Sequence, residues 1–289
     1  MKPFFGLRAH DFGTLPAAEL GAFVASSGAQ CIQLALAKAL PGEHLLPADF
    51  GEGGLASIRK ALDDQGLKVA VLGCYIDMVT PDEAEREFSF RCFEEHLAAT
   101  ASLGCRIVGT ETGSPEPYLH EPGGREKAFL LALDGLRRLI KTAEKEGVYL
   151  GLEAVAEYHA ISSLAHMARV IDDLKSPALG VIFDPVNLVP PGGIADMDGF
   201  LDECFATLGQ HIVALHVKDY RMEEGPEGPV KSAALPAGLG EVDWEGVFYR
   251  LMKAGKQEVP ILLEEAGPAD AAATFARMQQ AWDRALARL

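Results

Sequence analysis

Short apolar segments alternate with longer amphipathic segments along the chain, and this alternation predicts a regular succession of strands and helices. The short segments are rich in β-branched residues, as buried strands are, and the longer ones repeat apolar residues at helical spacing. The predicted strands span residues 4–9, 30–36, 68–75, 106–110, 148–152, 179–183, 212–217 and 260–263. The predicted helices span residues 16–27, 54–65, 82–103, 124–146, 161–175, 197–209, 243–255 and 270–288.

Several of these helices carry recognisable end signals. Thr80 is interpreted as the capping residue of one helix, with Pro81 at its first position. Glycines follow four helical segments at the point where a left-handed stop is favoured. They are Gly66, Gly104, Gly147 and Gly255.

Eight strands that alternate with eight helices predict a parallel sheet closed into a single (β/α)8 TIM barrel, within one domain of residues 1–289. A doubly wound open sheet is the competing α/β architecture, and it usually has a glycine-rich G-x-G-x-x-G turn after the first strand. Here the first strand runs instead into Ala-His-Asp-Phe-Gly at 9–13. The segments rich in proline and glycine all follow strands, which predicts loops at one end of a barrel rather than domain linkers.

The composition narrows the class of function. The chain has 26 basic and 42 acidic residues and a net charge of −16, so the sequence predicts no nucleic-acid partner and no membrane partner. Its five cysteines are scattered without a Cys-x-x-Cys pair, which favours reduced core thiols and a cytoplasmic location. The N-terminus is too short and polar for a signal peptide, and no apolar run reaches the roughly 18 residues that span a bilayer.

Four predicted strands end in residues that bind divalent cations: Glu153, Asp184, His216 and Glu264. Any one of them could be a strand-end cap or half of a local ion pair. In a barrel, however, all four lie at the same end, and buried carboxylates need a compensating cation or hydrogen bonds. Three carboxylates and an imidazole suit a hard or borderline ion. The sequence therefore predicts a site for one divalent metal ion, Mn²⁺, Mg²⁺, Co²⁺ or Zn²⁺.

The chain resembles the xylose isomerase-like barrel superfamily of sugar and sugar-phosphate isomerases and epimerases, which includes inosose dehydratases. The resemblance extends over essentially the whole sequence and rests on the order and strand positions of five motifs. They are Gly-Cys-Tyr-Ile-Asp at 73–77, Gly-Thr-Glu-Thr-Gly at 109–113, Phe-Asp-Pro-Val-Asn at 183–187, His-Val-Lys-Asp at 216–219 and Gly-Leu-Gly-Glu-Val-Asp-Trp at 238–244.

This resemblance implies an enzyme in which a metal polarises a sugar carbonyl while two glutamates exchange a proton through an enediolate. Carried over to this chain, Glu153 and Glu264 are both metal ligands and the catalytic acid/base pair. Asp184 and His216 are ligands. The implied partner is a small-molecule sugar or polyol, and homo-oligomers are common among the relatives.

Six further residues are candidates for substrate binding: His10, Glu111, His159, Asn187, Lys218 and Asp219. His10 could equally cap the first strand, Glu111 could form a salt bridge within its loop, and Lys218 could pair with an aspartate. In the ketohexose epimerase branch a histidine stands three residues after the metal aspartate, where this chain has Asn187. An asparagine can bind a hydroxyl but cannot carry a proton, which weakens any assignment to ketohexose 3-epimerisation.

Three alternatives remain beside an isomerase or epimerase. A dehydratase acting on an inosose-like polyol begins with the same proton removal and then expels a hydroxyl. A phosphodiester hydrolase related to AP endonuclease family 2 would need more histidine ligands and a basic groove. A non-catalytic barrel that binds a sugar leaves the four metal-site residues unexplained.

Overall fold

The computed structural model describes residues 2–42, 46–226 and 228–289. Eight parallel strands close into a barrel in the order β1-β10-β7-β6-β5-β4-β3-β2, which confirms the predicted (β/α)8 architecture. The barrel strands are β1 (Phe4–Arg8), β2 (Cys31–Leu34), β3 (Lys68–Gly73), β4 (Ile107–Thr110), β5 (Tyr149–Leu152), β6 (Leu179–Phe183), β7 (Ile212–Val217) and β10 (Pro260–Leu263). All eight lie within the segments predicted as strands.

Ten α-helices are described, of which eight match predicted helices and surround the barrel. They are α1 (Ala17–Ala25), α2 (Leu36–Ala39), α3 (Gly54–Asp63), α4 (Glu83–Leu103), α5 (Gly124–Glu146), α6 (Leu164–Leu174), α7 (Pro185–Leu188), α8 (Met197–Leu208), α9 (Trp244–Lys253) and α10 (Ala271–Ala287). The sequence did not predict α2 and α7, single turns that follow β2 and β6 at the carboxyl end of the barrel. It also missed an antiparallel hairpin of β8 (Met222–Gly225) and β9 (Gly228–Lys231) after β7.

The ends of α4 correct one prediction and illustrate another. Asp82, not Thr80, is the N-cap, because its carboxylate accepts hydrogen bonds from the N–H groups of Ala84 and Glu85. An aspartate one residue before the helix reaches these amides directly, and it also places a negative charge at the positive end of the helix dipole. The helix ends at Gly104, whose φ of 69° is the left-handed stop that the sequence predicted.

The barrel interior below the carboxyl ends of the strands is filled by an apolar layer. Its buried members are Cys31, Val71, Ile107, Ile182, Ala214 and Leu262. Glycines on β4 and β5 make room for Ile182: a Cβ at Gly109 would lie 2.7 Å from Ile182 Cδ1, and one at Gly151 would lie 3.0 Å from the same atom. This packed layer gives the residues above it a rigid floor.

Within the described part of the chain, no helix combines the length and apolarity needed to cross a membrane.

Candidate active site at the carboxyl ends of the barrel strands

The inner face of the barrel changes from apolar to polar at the carboxyl ends of the strands. Residues two apart along a strand share a face, so the positions that follow the interior layer in steps of two also point inward. These positions hold Arg8, Gln33, Tyr75, Glu111, Glu153, Asp184, His216 and Glu264. One polar side chain from each of the eight strands therefore contributes to a ring above the apolar floor.

The four residues predicted as metal ligands meet in this ring and are all buried. Ligand-type atoms of Glu153, Asp184 and His216 lie within 4.8 Å of one another. His216 Nδ1 lies 3.1 Å from Glu153 Oε2 and 3.4 Å from Glu264 Oε1. Burial lowers the pKa of His216, but the carboxylates of Glu153 and Glu264 outweigh burial and raise the pKa to about 9.

Gln33 determines which nitrogen of His216 faces the carboxylates. The Gln33 amide donates to the Tyr75 hydroxyl over 2.7 Å, so its Oε1 is the acceptor, 2.7 Å from His216 Nε2. The Nε2 atom of His216 therefore carries a proton and donates it to Gln33. The other nitrogen, Nδ1, is buried and has no hydrogen bond of acceptable geometry. In the neutral ring its lone pair is free for a metal ion.

Asp184 uses its two carboxylate oxygens differently. Oδ1 accepts the backbone N–H groups of Val186 and Asn187 over 2.8 and 3.1 Å, and so caps α7. Oδ2 is buried and lies 2.8 Å from Lys218 Nζ without the alignment of a hydrogen bond. One oxygen thus fixes the loop, while the other faces the acidic cluster.

Glu264 is held by cations. Its Oε2 accepts a hydrogen bond from Lys218 over 2.7 Å, and Arg8 Nη1 lies 3.3 Å from its Oε1. Burial alone would raise the pKa of Glu264, but His216, Lys218 and Arg8 hold it well below its usual range. The carboxylates of Asp184 and Glu264 overcome burial at Lys218 and raise the pKa of its ammonium well above the ordinary lysine value.

The donor set fits a divalent metal ion. Two buried atoms that point into the cluster, His216 Nδ1 and Asp184 Oδ2, lack a hydrogen-bond partner, as is expected of ligand atoms. The carboxylates of Glu153 and Glu264 complete a set of three acids and one imidazole, which suits a hard or borderline cation. Because Lys218 already contacts Asp184 and Glu264, a bound metal would share these two carboxylates with its ammonium.

Glu111 and His159 form a second polar pair beside the cluster. The backbone N–H of Gly113 donates to His159 Nδ1 over 3.1 Å, so the ring proton of a neutral His159 resides on Nε2, 3.2 Å from Glu111 Oε2. Burial raises the pKa of Glu111, and the nearby charge of Glu153 raises it further. The structure therefore brings both predicted residues to the active face.

Asn187 contacts a glutamate of the cluster. Its Nδ2 donates to Glu153 Oε1 over 2.6 Å, which leaves Oε2 of Glu153 facing His216. Asn187 lies in the single turn α7, directly after Asp184. An amide at this position orients the Glu153 carboxylate without adding a charge to it.

The last two predicted substrate contacts, His10 and Asp219, differ in whether their polar atoms already have hydrogen-bond partners. Half-buried His10 has a buried Nδ1 atom without a hydrogen-bond partner. Burial and the neighbouring Arg8 and Lys38 lower the pKa of His10 to about 4, so its ring is neutral at pH 7. Asp219 instead uses Oδ1 to accept N–H groups of Tyr220 and Val242, and Oδ2 to accept that of Gly238. Its carboxylate supports the loop before α9, and we leave it out of the proposed substrate-binding set.

The site residues predicted from the sequence did not include Arg8, Gln33 or Tyr75. A signal for Gln33 was present, because it is the one amide in an otherwise apolar strand, Cys31–Leu34. A buried polar side chain in such a strand needs a partner inside the barrel. Arg8 could have been found in the same way, as the charged end of the apolar strand Phe4–Arg8.

A curated relative of this chain is an enzyme. The 3-oxo-isoapionate decarboxylase of Pectobacterium atrosepticum is 28% identical over 192 residues, a stretch that covers 65% of this chain and 62% of that protein. The match thus spans less than two thirds of the length of the relative.

Two solved structures share the fold. The apo form of 3-keto-D-glucoside 4-epimerase from E. coli aligns with a TM-score of 0.72 at 17% identity, covering 96% of this chain and all of that one. A xylose isomerase-like TIM barrel protein from Mycobacterium smegmatis, solved in complex with magnesium, aligns with a TM-score of 0.71 at 22% identity. That alignment covers 97% of this chain and 94% of the other.

The family comparison covers nearly the whole barrel. Residues 22–285 match the family model described as xylose isomerase-like TIM barrel, in agreement with the resemblance found in the sequence. The chain belongs to the xylose isomerase-like TIM barrel family.

Proposed function

We propose that the protein is a divalent-metal-dependent enzyme that isomerises or epimerises a sugar or sugar derivative through an enediolate. One observation carries this proposal: Glu153 and Glu264 approach the same nitrogen, His216 Nδ1, at 3.1 and 3.4 Å from different strands. In the barrel order, β6 and β7 separate β5 from β10. Two carboxylates that reach one region of the site from strands three apart can serve two sides of a bound carbon.

The surroundings of Glu153 and Glu264 differ in charge, which suggests that the two carboxylates carry out different proton-transfer steps. Glu153 accepts a hydrogen bond from the neutral amide of Asn187, whereas Glu264 contacts the cationic Lys218 and Arg8. A carboxylate surrounded by cations is the weaker base. We therefore assign proton removal from the carbon beside the carbonyl to Glu153. Glu264 takes up a proton from solvent and returns it to the other side of that carbon, while Lys218 stays protonated throughout.

A divalent cation held by Glu153, Asp184, His216 and Glu264 would polarise the substrate carbonyl and so acidify the adjacent carbon. Lys218, buried between Asp184 and Glu264, places a fixed positive charge where negative charge develops on the enediolate oxygens. The apolar floor beneath the ring excludes water from this side, which strengthens both electrostatic effects.

We assign substrate hydroxyl groups to the polar residues beside the cluster. The Glu111 carboxylate accepts hydrogen bonds from hydroxyl groups, and the neutral ring of His10 can accept or donate them. His159 fixes the orientation of the Glu111 carboxylate through their 3.2 Å contact. These residues lie on the β1 and β4 sides of the mouth. A polyhydroxylated substrate could thus be held from two sides.

The test is hydrogen exchange with solvent. The protein is loaded with Mn²⁺, incubated in D₂O with ketoses, aldoses and inososes, and deuterium incorporation at carbon is followed by NMR. We expect exchange at one carbon, with a loss of about 100-fold or more in Glu153→Gln. Glu265→Gln is the matched control, because this neighbouring glutamate contacts Arg8 and is half exposed. Undiminished exchange in Glu153→Gln would remove that residue from proton transfer.

A second candidate, decarboxylation of a 3-keto sugar acid, is favoured by the 28% identical decarboxylase. Here the bond between the carboxylate carbon and its neighbour breaks, CO₂ leaves, and the electron pair forms the same kind of enediolate, which is then protonated. No base is needed for the first step. Carbon dioxide release from 3-keto aldonic acids that persists in Glu153→Gln, without exchange on neutral ketoses, would establish this reaction instead.

A further inference from the structure

The cations at the mouth of the barrel differ in whether their charge is already neutralised. Lys218 contacts carboxylates at 2.7 and 2.8 Å, and Arg8 contacts Asp11 at 2.8 Å. Lys231 donates to two backbone carbonyls, at 2.7 and 3.0 Å. Across residues 2–42, 46–226 and 228–289, the Nζ atom of Lys38 has neither a carboxylate nor a carbonyl partner.

Lys38 is exposed, and its position is nevertheless fixed. It lies in α2, the single turn that follows β2 at the carboxyl end of the barrel, and the Thr14 hydroxyl donates to its carbonyl over 2.8 Å. Its Nζ stands 4.0 Å from the centroid of the Tyr75 ring, a cation–π distance. The ammonium is thus held on an aromatic surface instead of on an acid.

Tyr75 connects Lys38 to the candidate metal centre. The hydroxyl of Tyr75 accepts from Gln33, and Gln33 in turn accepts from His216, each over 2.7 Å. Three successive contacts therefore lead from Lys38 to His216. The ring of Tyr75 lies against β3, since a Cβ at residue 73 would be in van der Waals contact with Tyr75 Cε2, at 3.4 Å. The lysine thus stands at the rim of the mouth, three contacts away from the predicted metal ligand His216.

His10 offers a neutral partner in the 3₁₀ turn that follows the adjacent strand, β1. Its buried Nδ1 atom has no hydrogen-bond partner, and Lys38 is one of the charges that act on its ring. A neutral imidazole beside an unneutralised ammonium can hydrogen-bond one oxygen of an anion while the lysine neutralises the charge.

We propose that the substrate carries a carboxylate at the end remote from the metal centre, and that Lys38, assisted by His10, binds this group. The inference rests on the proposed function, since it assumes that the sugar lies across the barrel mouth. It narrows the substrate class to sugar acids. In a protein with a net charge of −16, an ammonium that has no carboxylate partner among the described residues also provides a local attraction for an anionic ligand.

The experiment measures binding by calorimetry of the Mn²⁺-loaded protein with D-xylonate, xylitol and xylitol 5-phosphate. We expect D-xylonate to bind more tightly than xylitol. Lys38→Gln should weaken D-xylonate binding by roughly fivefold to tenfold and leave xylitol unchanged, because only the charged contact is lost. Lys38→Arg should keep most of the preference. Lys60→Gln, at an exposed lysine on α3 that pairs with Asp64, is the matched control and should behave as wild type.

The outcomes separate this inference from the proposed reaction. Equal affinity for D-xylonate and xylitol in the wild type, or equal weakening of both by Lys38→Gln, overturns the carboxylate site. If Lys38→Gln weakens the binding of xylitol 5-phosphate more than that of D-xylonate, Lys38 binds a phosphate and the carboxylate site is overturned. Lys38-dependent D-xylonate binding without deuterium exchange on any sugar would refute the proposed reaction and retain the anion site.

Discussion

Gln33 accepts a hydrogen bond from His216 over 2.7 Å, and this buried contact turns the Nδ1 atom of the imidazole toward the carboxylates of Glu153 and Glu264. The amide is itself fixed, because its nitrogen donates to the Tyr75 hydroxyl. The orientation of His216, a predicted metal ligand on β7, thus depends on a residue of β2, and β1 and β10 separate these two strands in the barrel. Such outer contacts commonly tune metal affinity.

The first prediction concerns this amide. Gln33→Met keeps the length of the side chain but removes the acceptor for His216 Nε2, so the imidazole is no longer held in the ligand orientation. We expect the affinity for Mn²⁺, measured by calorimetry, to fall by roughly 10-fold to 100-fold. Gln210→Met, at an exposed glutamine near α8, is the control and should bind Mn²⁺ as wild type does. Unchanged affinity in a folded Gln33→Met protein would mean that the contact does not position a ligand.

The second prediction follows from the pKa of His216. Without a metal, the neighbouring carboxylates raise this pKa to about 9, so His216 is protonated at pH 7. Metal coordination requires the neutral ring, and Mn²⁺ binding at pH 7 should therefore release about one proton. The apparent affinity should increase by up to about tenfold per pH unit from pH 7 and level off above pH 9. Calorimetry in buffers of different ionisation enthalpy measures the proton release; its absence would contradict the ligand role of His216.

The candidate metal ligands at the strand ends could be predicted because they are polar residues that directly follow buried apolar segments. Asp184 and His216 each end an apolar run, and the barrel closes those runs side by side, so the sequence predicted a cluster that the structure brings together. The two-residue alternation of strands also determines that these side chains point inward. The apolar pattern of the strands and the closed barrel together were sufficient to predict that these candidate ligands lie close to one another.

Other features depended on contacts between distant segments. The sequence could not show that Asp219 is surrounded by the N–H groups of Gly238 and Val242, because those amides belong to a loop with no periodic pattern. Nor could it show that Lys218 lies between Asp184 and Glu264 and not at the rim. The β8–β9 hairpin was missed because it is short and half exposed, and it contains proline and glycine rather than alternating apolar residues.

The third prediction is that Lys218 stabilises the metal-free protein. Lys218→Met removes the buried ammonium from between Asp184 and Glu264, and the repelling carboxylates should lower the free energy of unfolding by about 3 kcal/mol. Saturating Mn²⁺ should restore part of this loss, because the cation binds only the folded state and neutralises the same acids. Thermal and urea unfolding with and without Mn²⁺ measure both effects.

The control for that variant is Lys60→Met, which removes an exposed ion pair and should change the free energy of unfolding by less than about 1 kcal/mol. If Mn²⁺ stabilised Lys218→Met no more than it stabilised the wild type, Lys218 and the metal would not act on the same carboxylates.

The fourth prediction tests the apolar floor beneath the site. A Cβ at residue 109 would lie 2.7 Å from Ile182 Cδ1, so Gly109→Ala should lower the free energy of unfolding by about 2 kcal/mol through overpacking. Ile182→Val removes that Cδ1 atom and alone should cost about 1 kcal/mol. Because the new methyl group then occupies the space that Cδ1 vacates, the double variant should lose less than the sum of the two single losses. Urea unfolding of the four proteins in this cycle measures the coupling; strictly additive losses would show that Gly109 does not make room for Ile182.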